Sequence, residues 1–253
     1  MSTSPAARPD DRAGERLTGR LPVLMYHSVP AAGPAPSDLH VPLKEFSTHL
    51  SVLRDNGFTV VGLTRAVQLV ATGLSDGGRV RPVALTFDDG YVDFLAAAEL
   101  LAARACAATV YVSTNRMGEA SMIAGSGRLL TWEELDTLPR EWVEIGSHAH
   151  DHRPLDVLGE HVAAGQARIS AERIAERAGA RPVSFCYPHG YCSAATARAV
   201  RAAGYTNACI VGRRVAGPGD DLFALPRLQV RPGLGAEGLL DLLARGEPGW
   251  TPR

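Results

Sequence analysis

The stretch PVALTFDDG (Pro82–Gly90) decides the fold. A short apolar run bounded by turn residues reads as a buried strand. This one ends in two adjacent carboxylates, Asp88 and Asp89, and in a glycine that permits a tight exit. The pattern recurs on both sides of it. LPVLMYH (Leu21–His27) ends in Tyr26 and His27, Trp142–Ser147 runs into GSHAHDH (Gly146–His152), and Pro182–Tyr187 runs into the end of FCYPHG (Phe185–Gly190). Parallel barrels carry their chemistry at the C-terminal ends of strands and in the loops that follow. Four polar clusters so placed predict an α/β chain with one site above the ends of a parallel sheet.

Helical signals fill the intervals. Leu43, Phe46, Leu50 and Leu53 recur at helical spacing before Gly57, and helices are also expected at Thr64–Ala71, Val92–Ala103, Leu155–Ala178, Ala194–Ala203 and Ala236–Ala244. TWEELDTL offers a capping box between Thr131 and Glu134. Further strands are expected at Phe58–Val61, Ala108–Ser113, Tyr205–Val211 and Leu222–Val230. Turns or loops are expected at Pro30–Pro36, Ser75–Arg79 and Thr114–Gly127. Strands alternating with helices imply parallel βαβ units. We expect a flexible polar arm over residues 1–20 and a single domain over 21–253, since one α/β barrel runs to roughly 250 residues.

Composition removes several classes. Hydrophobic residues at 45% and charged residues at 21% give a globular balance. Lys+Arg 26 against Asp+Glu 27 leaves a net charge of −1, so no basic field points to nucleic acid. Four cysteines without a CxxC pair argue against a disulfide scaffold and a thiolate zinc site. No apolar run reaches the ~18 residues of a membrane span. The first twenty residues lack the apolar core of a signal peptide, so the expected location is cytoplasmic.

Each polar cluster has a chemical and a bland reading. Asp88-Asp89-Gly90 can divide metal binding from proton transfer, or it can make an ordinary turn or helix cap. GSHAHDH holds three histidines and an aspartate, and His148 and His152 stand four apart, a spacing that suits a divalent metal. The Pro188–Gly190 turn can present backbone N–H groups to an oxyanion, or be only a turn. In LPRLQV a single Arg227 sits in an apolar strand, where a buried carboxylate partner or an exposed sheet edge would explain it.

In this order, TFDDG, GSHxxxH and a YPxG-type turn resemble the polysaccharide deacetylases of carbohydrate esterase family four, which share the NodB homology domain. The resemblance covers about Leu21–Val230. It implies a distorted (β/α) barrel of the NodB type holding one divalent metal, usually zinc, with cobalt, nickel or iron(II) as alternatives. It implies removal of acetyl groups from N-acetylated sugars, although some members act on O-acetyl xylan or small amides. By position, Asp88 would be the general base and Asp89, His148 and His152 the metal ligands, with His150 between the two imidazole ligands. The oxyanion-binding turn would fall at His189, beside Tyr187.

Two departures from the family pattern matter. Cys186 occupies the place where many members carry an arginine that braces the base, and Arg227 is the candidate to replace it. No histidine follows His189 to serve as the general acid. LMYHSV is similar to the subgroup containing poly-N-acetylglucosamine deacetylases, whose motif order is circularly permuted, and there His27 matches the acid. Imidazole, ordinarily titrating near ~6.5, suits that task. His189 is the reserve. The expected partner is an acetylated sugar or glycan, with a small cyclic imide, ureide or amide as the alternative. An expected cytoplasmic location sits uneasily with a surface polymer. The oligomeric state stays open.

Overall fold

The computed structural model describes residues 16–32, 37–74, 80–121 and 127–246. Eight strands alternate with helices: β1 (Val23–Tyr26), β2 (Thr59–Val61), β3 (Pro82–Phe87), β4 (Ala108–Val112), β5 (Val143–Ser147), β6 (Ser184–Cys186), β7 (Asn207–Cys209) and β8 (Leu228–Gln229). They form one sheet in the order β7-β6-β5-β4-β3-β1-β8, with β2 also paired to β3, and each pairing is parallel. The barrel is distorted at β3. Its Pro82–Ala84 half pairs β2, and Thr86–Phe87 pairs β4. The seam is a slanted segment: Leu225 bridges to Cys209 of β7, and Leu228 pairs Leu24 of β1.

The helices are α1 (Leu43–Asp55), α2 (Leu63–Ala71), α3 (Phe94–Ala103), α4 (Trp132–Asp136), α5 (Glu160–Ala178), α6 (Ala194–Ala202) and α7 (Gly235–Arg245). At α4 the expected capping box forms, with Thr131 Oγ1 accepting from the Glu134 N–H and the Glu134 carboxylate accepting from the Thr131 N–H. Side chains alternate across a strand. Tyr26 and Phe87 accordingly turn into an aromatic cluster with Phe46 of α1 and Phe94 of α3, at ring separations of 4.9–5.4 Å. That packing anchors the ends of β1 and β3, and the next residues, His27 and Asp88, turn to the other side.

Several expectations change. The strand expected over Leu222–Val230 contracts to Leu228–Gln229, because Pro226 has no N–H to give to the ladder. Tyr205–Val211 contracts to β7, and the helix expected at Leu155–Ala178 divides at Gly159 into a 3-10 turn at Leu155–Val157 and α5. The expected arm is too long. Leu17 is buried and its N–H donates to Asp220 O at 2.8 Å, so residues 16–20 dock on the barrel. Residues 1–15, the Ser75–Arg79 turn and parts of the two expected long loops lie outside the described residues. Among the described residues, no helix is long and apolar enough to cross a membrane.

Candidate active site

Asp89 leaves β3 in the left-handed region, with φ 69°, and Gly90 follows at φ 72°. A Cβ at Gly90 would stand 2.8 Å from Val112 Cγ1, so only glycine lets β3 exit here. Asp89 Oδ1 lies 3.0 Å from His152 Nε2 and 3.5 Å from His148 Nε2. His148 Nδ1 donates to Cys186 O at 2.8 Å, which leaves the Nε2 lone pair facing the carboxylate. Burial holds the His148 imidazole down at about 4, against the opposing pull of Asp88, so it is neutral. Two acceptors, a carboxylate oxygen and an imidazole lone pair, thus face each other, an arrangement that a cation between them resolves. One carboxylate and two imidazoles whose ligand atoms lie within 4.8 Å of one another fit a divalent ion. Asp88, His148 and Cys186 also cluster, but burial keeps the Cys186 thiol protonated and the Arg227 cation stands beside it. That group is the poorer metal site.

Arg227 grips Asp88 with two parallel hydrogen bonds, Nη1 to Oδ1 at 2.6 Å and Nη2 to Oδ2 at 2.7 Å. Its Nε donates to Ile210 O, Nη1 also to Thr86 Oγ1, and Nη2 reaches Cys186 Sγ at 3.2 Å. Burial alone would raise the Asp88 carboxyl, but the charge and hydrogen bonds of Arg227, helped by His148 and His27, hold it at about 2. His27 Nε2 stands 3.9 Å from Asp88 Oδ2, beyond direct hydrogen bonding. His189, at φ 61°, lines the same cavity, its ring 5.0 Å from that of His152.

Two residues beside the site stand outside the cavity. Tyr187 does not line the cavity. Its N–H donates to Cys209 O and its ring packs on Phe185, so it holds the turn from behind. His150 turns away, with Nδ1 2.8 Å from Thr114 Oγ1.

A profile of the family described as polysaccharide deacetylase matches residues 76–208, more than half of the chain. The chain belongs to the polysaccharide deacetylase family. A curated relative, the putative polysaccharide deacetylase YxkH of Bacillus subtilis (strain 168), is 26% identical over 216 residues, covering 85% of this chain and 73% of its own. Two solved structures share the fold. The Streptococcus pyogenes deacetylase PplD in complex with acetate has a TM-score of 0.75 at 23% identity, covering 90% of this chain and 99% of its own. IcaB from Ammonifex degensii gives 0.75 at 23%, covering 89% and 96%.

In this deacetylase-family chain the cavity holds about 320 Å³. Motif reading passed over Tyr91, Arg116 and Ser121 in its wall. Tyr91 directly follows TFDDG, and that adjacency was the available signal. Burial, then the charge of Asp89, raises its phenol well above the ordinary range, so it stays a neutral donor. Arg116 and Ser121 lie in a loop with no motif to mark them. Arg116 is tethered there, Nε donating to Glu119 Oε2 at 3.0 Å and Nη2 to Ala120 O at 3.3 Å.

Proposed function

We propose that the chain is a metal-dependent hydrolase that removes the acetyl group from an N-acetylhexosamine-containing glycan or glycoconjugate. The observation that carries this reading is one cavity lined by the Asp89–His148–His152 donor set, by His27 and by Asp88, which the buried Arg227 braces from outside the cavity. Asp89, His148 and His152 would hold the ion, zinc in the first instance. Bound there, it supplies a Lewis acid for the acetyl carbonyl and acidifies water, which a base as weak as Asp88 requires.

The remaining work belongs to the side chains. Asp88, ionised at neutral pH and fixed by Arg227, accepts the proton of the attacking water. The turn N–H at His189 steadies the developing oxyanion. His27, with Nε2 3.9 Å from Asp88 Oδ2, delivers a proton to the departing amine. The left-handed φ angles of Asp89, His152 and His189 support the reading, since such backbone strain gathers at functional sites.

A second reading, hydrolysis of a small cyclic imide, ureide or amide, draws on cavity size. A volume of about 320 Å³ stands at the low end of the ~300–1,000 Å³ common for ligand pockets. Protein loaded with zinc or cobalt, assayed for acetate and free amine on N-acetylglucosamine oligomers and in parallel on small cyclic amides, separates the two. Turnover of oligomers supports the first reading, and turnover confined to cyclic amides replaces it with the second.

A further inference from the structure

Between the two imidazoles of the donor set runs the segment Ala149-His150-Asp151, and its three amides and the carbonyls of residues 148–150 find partners on two sides. On one side the loop after β4 takes the carbonyls: Ser113 Oγ donates to His148 O at 2.7 Å, Thr114 N to Ala149 O at 3.3 Å and Asn115 N to His150 O at 2.8 Å. On the other side α5 takes the amides. Gln166 Oε1 accepts from both His150 N at 3.2 Å and Asp151 N at 3.0 Å, and Gln166 Nε2 donates to Asp151 Oδ2 at 3.0 Å. One turn further along the same face, Ser170 Oγ meets Ser147 Oγ at 2.6 Å, and Ser147 Oγ accepts from Ala149 N.

The segment needs that grip. Ala149 at φ 63° and His152 at φ 62° are non-glycine residues in the left-handed region, each costing of order 1–3 kcal/mol unless its surroundings enforce it. Buried amides left without acceptors would add to that cost. Gln166 is 7% exposed, directs its hydrogen bonds to the loop and not to either imidazole, and is the side chain that satisfies two consecutive amides at once.

We propose that Gln166 is a positioning residue for the metal: from α5 it fixes the loop that sets His152 against His148 and Asp89. The proposal rests on the metal reading given above. Outer partners of metal ligands typically change affinity about 10–100-fold when replaced, and an effect of that size is expected here.

The test uses cobalt(II) alone, titrated into the metal-free protein, with Kd taken from chelator competition and coordination read from the visible bands. Wild type is expected to take up one ion per chain, and Asp89→Ala none. Gln166→Met keeps the volume and loses all three hydrogen bonds. It is expected to weaken cobalt binding about 10–100-fold and to alter the bands. Gln166→Glu keeps an acceptor for the two amides but loses the donation to Asp151, and it should fall between. Wild-type affinity in Gln166→Met overturns the proposal, even with a lowered melting temperature in chelator, because the hydrogen bonds would then serve folding alone. If Gln166→Met does not fold, Gln166→Glu decides by the same comparison with wild type. Failure of wild type to bind cobalt through Asp89 overturns the metal reading and this proposal with it, whereas equal binding by wild type and variant overturns this proposal alone.

Discussion

Arg227 and Asp88 lie edge to edge, their two hydrogen bonds 2.6 and 2.7 Å long, with the guanidinium wholly buried. The resemblance places such a brace at position 186, on β6. Here the cation enters from the stretch leading into β8, and the small Cys186 thiol leaves room for it, accepting from Nη2 at 3.2 Å. We expect the two positions to compensate each other.

Removing one partner of a buried pair leaves an uncompensated charge, at a typical cost of about 3–5 kcal/mol. Arg227→Met is expected to lose that much stability in urea unfolding, along with most deacetylase activity. Arg227→Lys keeps the charge without the fork and should recover only part. Adding Cys186→Arg to Arg227→Met returns a cation from β6 and is expected to regain activity. No gain in the double variant would mean that the two positions do not substitute for one another.

A bound ion that prefers the folded state stabilises it by about 2.7 kcal/mol at a hundred times its Kd. Scanning calorimetry should therefore give a higher melting temperature with zinc than with chelator. In Asp89→Ala the two traces should coincide. A zinc shift that survives Asp89→Ala would place the ion elsewhere.

What was legible in the sequence was local. The strand ends at Phe87 and Ser147 and the Thr131–Glu134 box depend on neighbours a few residues away, and they stand where the pattern put them. Arg227 left a buried carboxylate or an exposed sheet edge open, because its partner is 139 residues distant and only the β3-β1-β8 order of the sheet brings the two together. Tyr187 and His189 share one turn, and its geometry, not the motif, decides that His189 lines the cavity while Tyr187 does not. Gln166 carried no signal, because a glutamine on a helix reads as a surface residue until the loop it grips is in place.

Acid should weaken the fold through His49. This fully buried side chain has Nδ1 3.2 Å from the Tyr26 hydroxyl and Nε2 3.5 Å from Glu45 Oε1, while Glu45 also accepts from Gly233 N and Gly235 N at the start of α7. Burial lowers the His49 imidazole, with Glu45 opposing. The unfolded chain then binds the proton more readily than the folded one. The stability this contributes is complete above the unfolded value near ~6.5 and is lost as pH falls below it, by at most ~1.4 kcal/mol per pH unit. Urea midpoints in chelator at pH 8 and pH 5 should show a smaller acid loss for His49→Gln than for wild type. Identical losses would show that His49 titrates freely in the fold.

His27 offers the sharpest test of the chemistry, because its assigned task depends on the leaving group. An alkylamine cannot depart without a proton, whereas a nitroanilide or a phenyl ester needs far less help. If His27 is the acid, His27→Ala should cut turnover of an N-acetylated sugar by about 10²–10⁴-fold, the usual yield of a positioned acid or base. It should spare an activated acetyl ester, because the metal ligands and the Asp88–Arg227 pair are untouched. His189→Ala keeps the backbone N–H at the turn and should cost little on either substrate. Equal losses on both substrates in His27→Ala would mean that His27 shapes the site without delivering the proton, and a leaving-group-dependent loss in His189→Ala would pass the role to that residue.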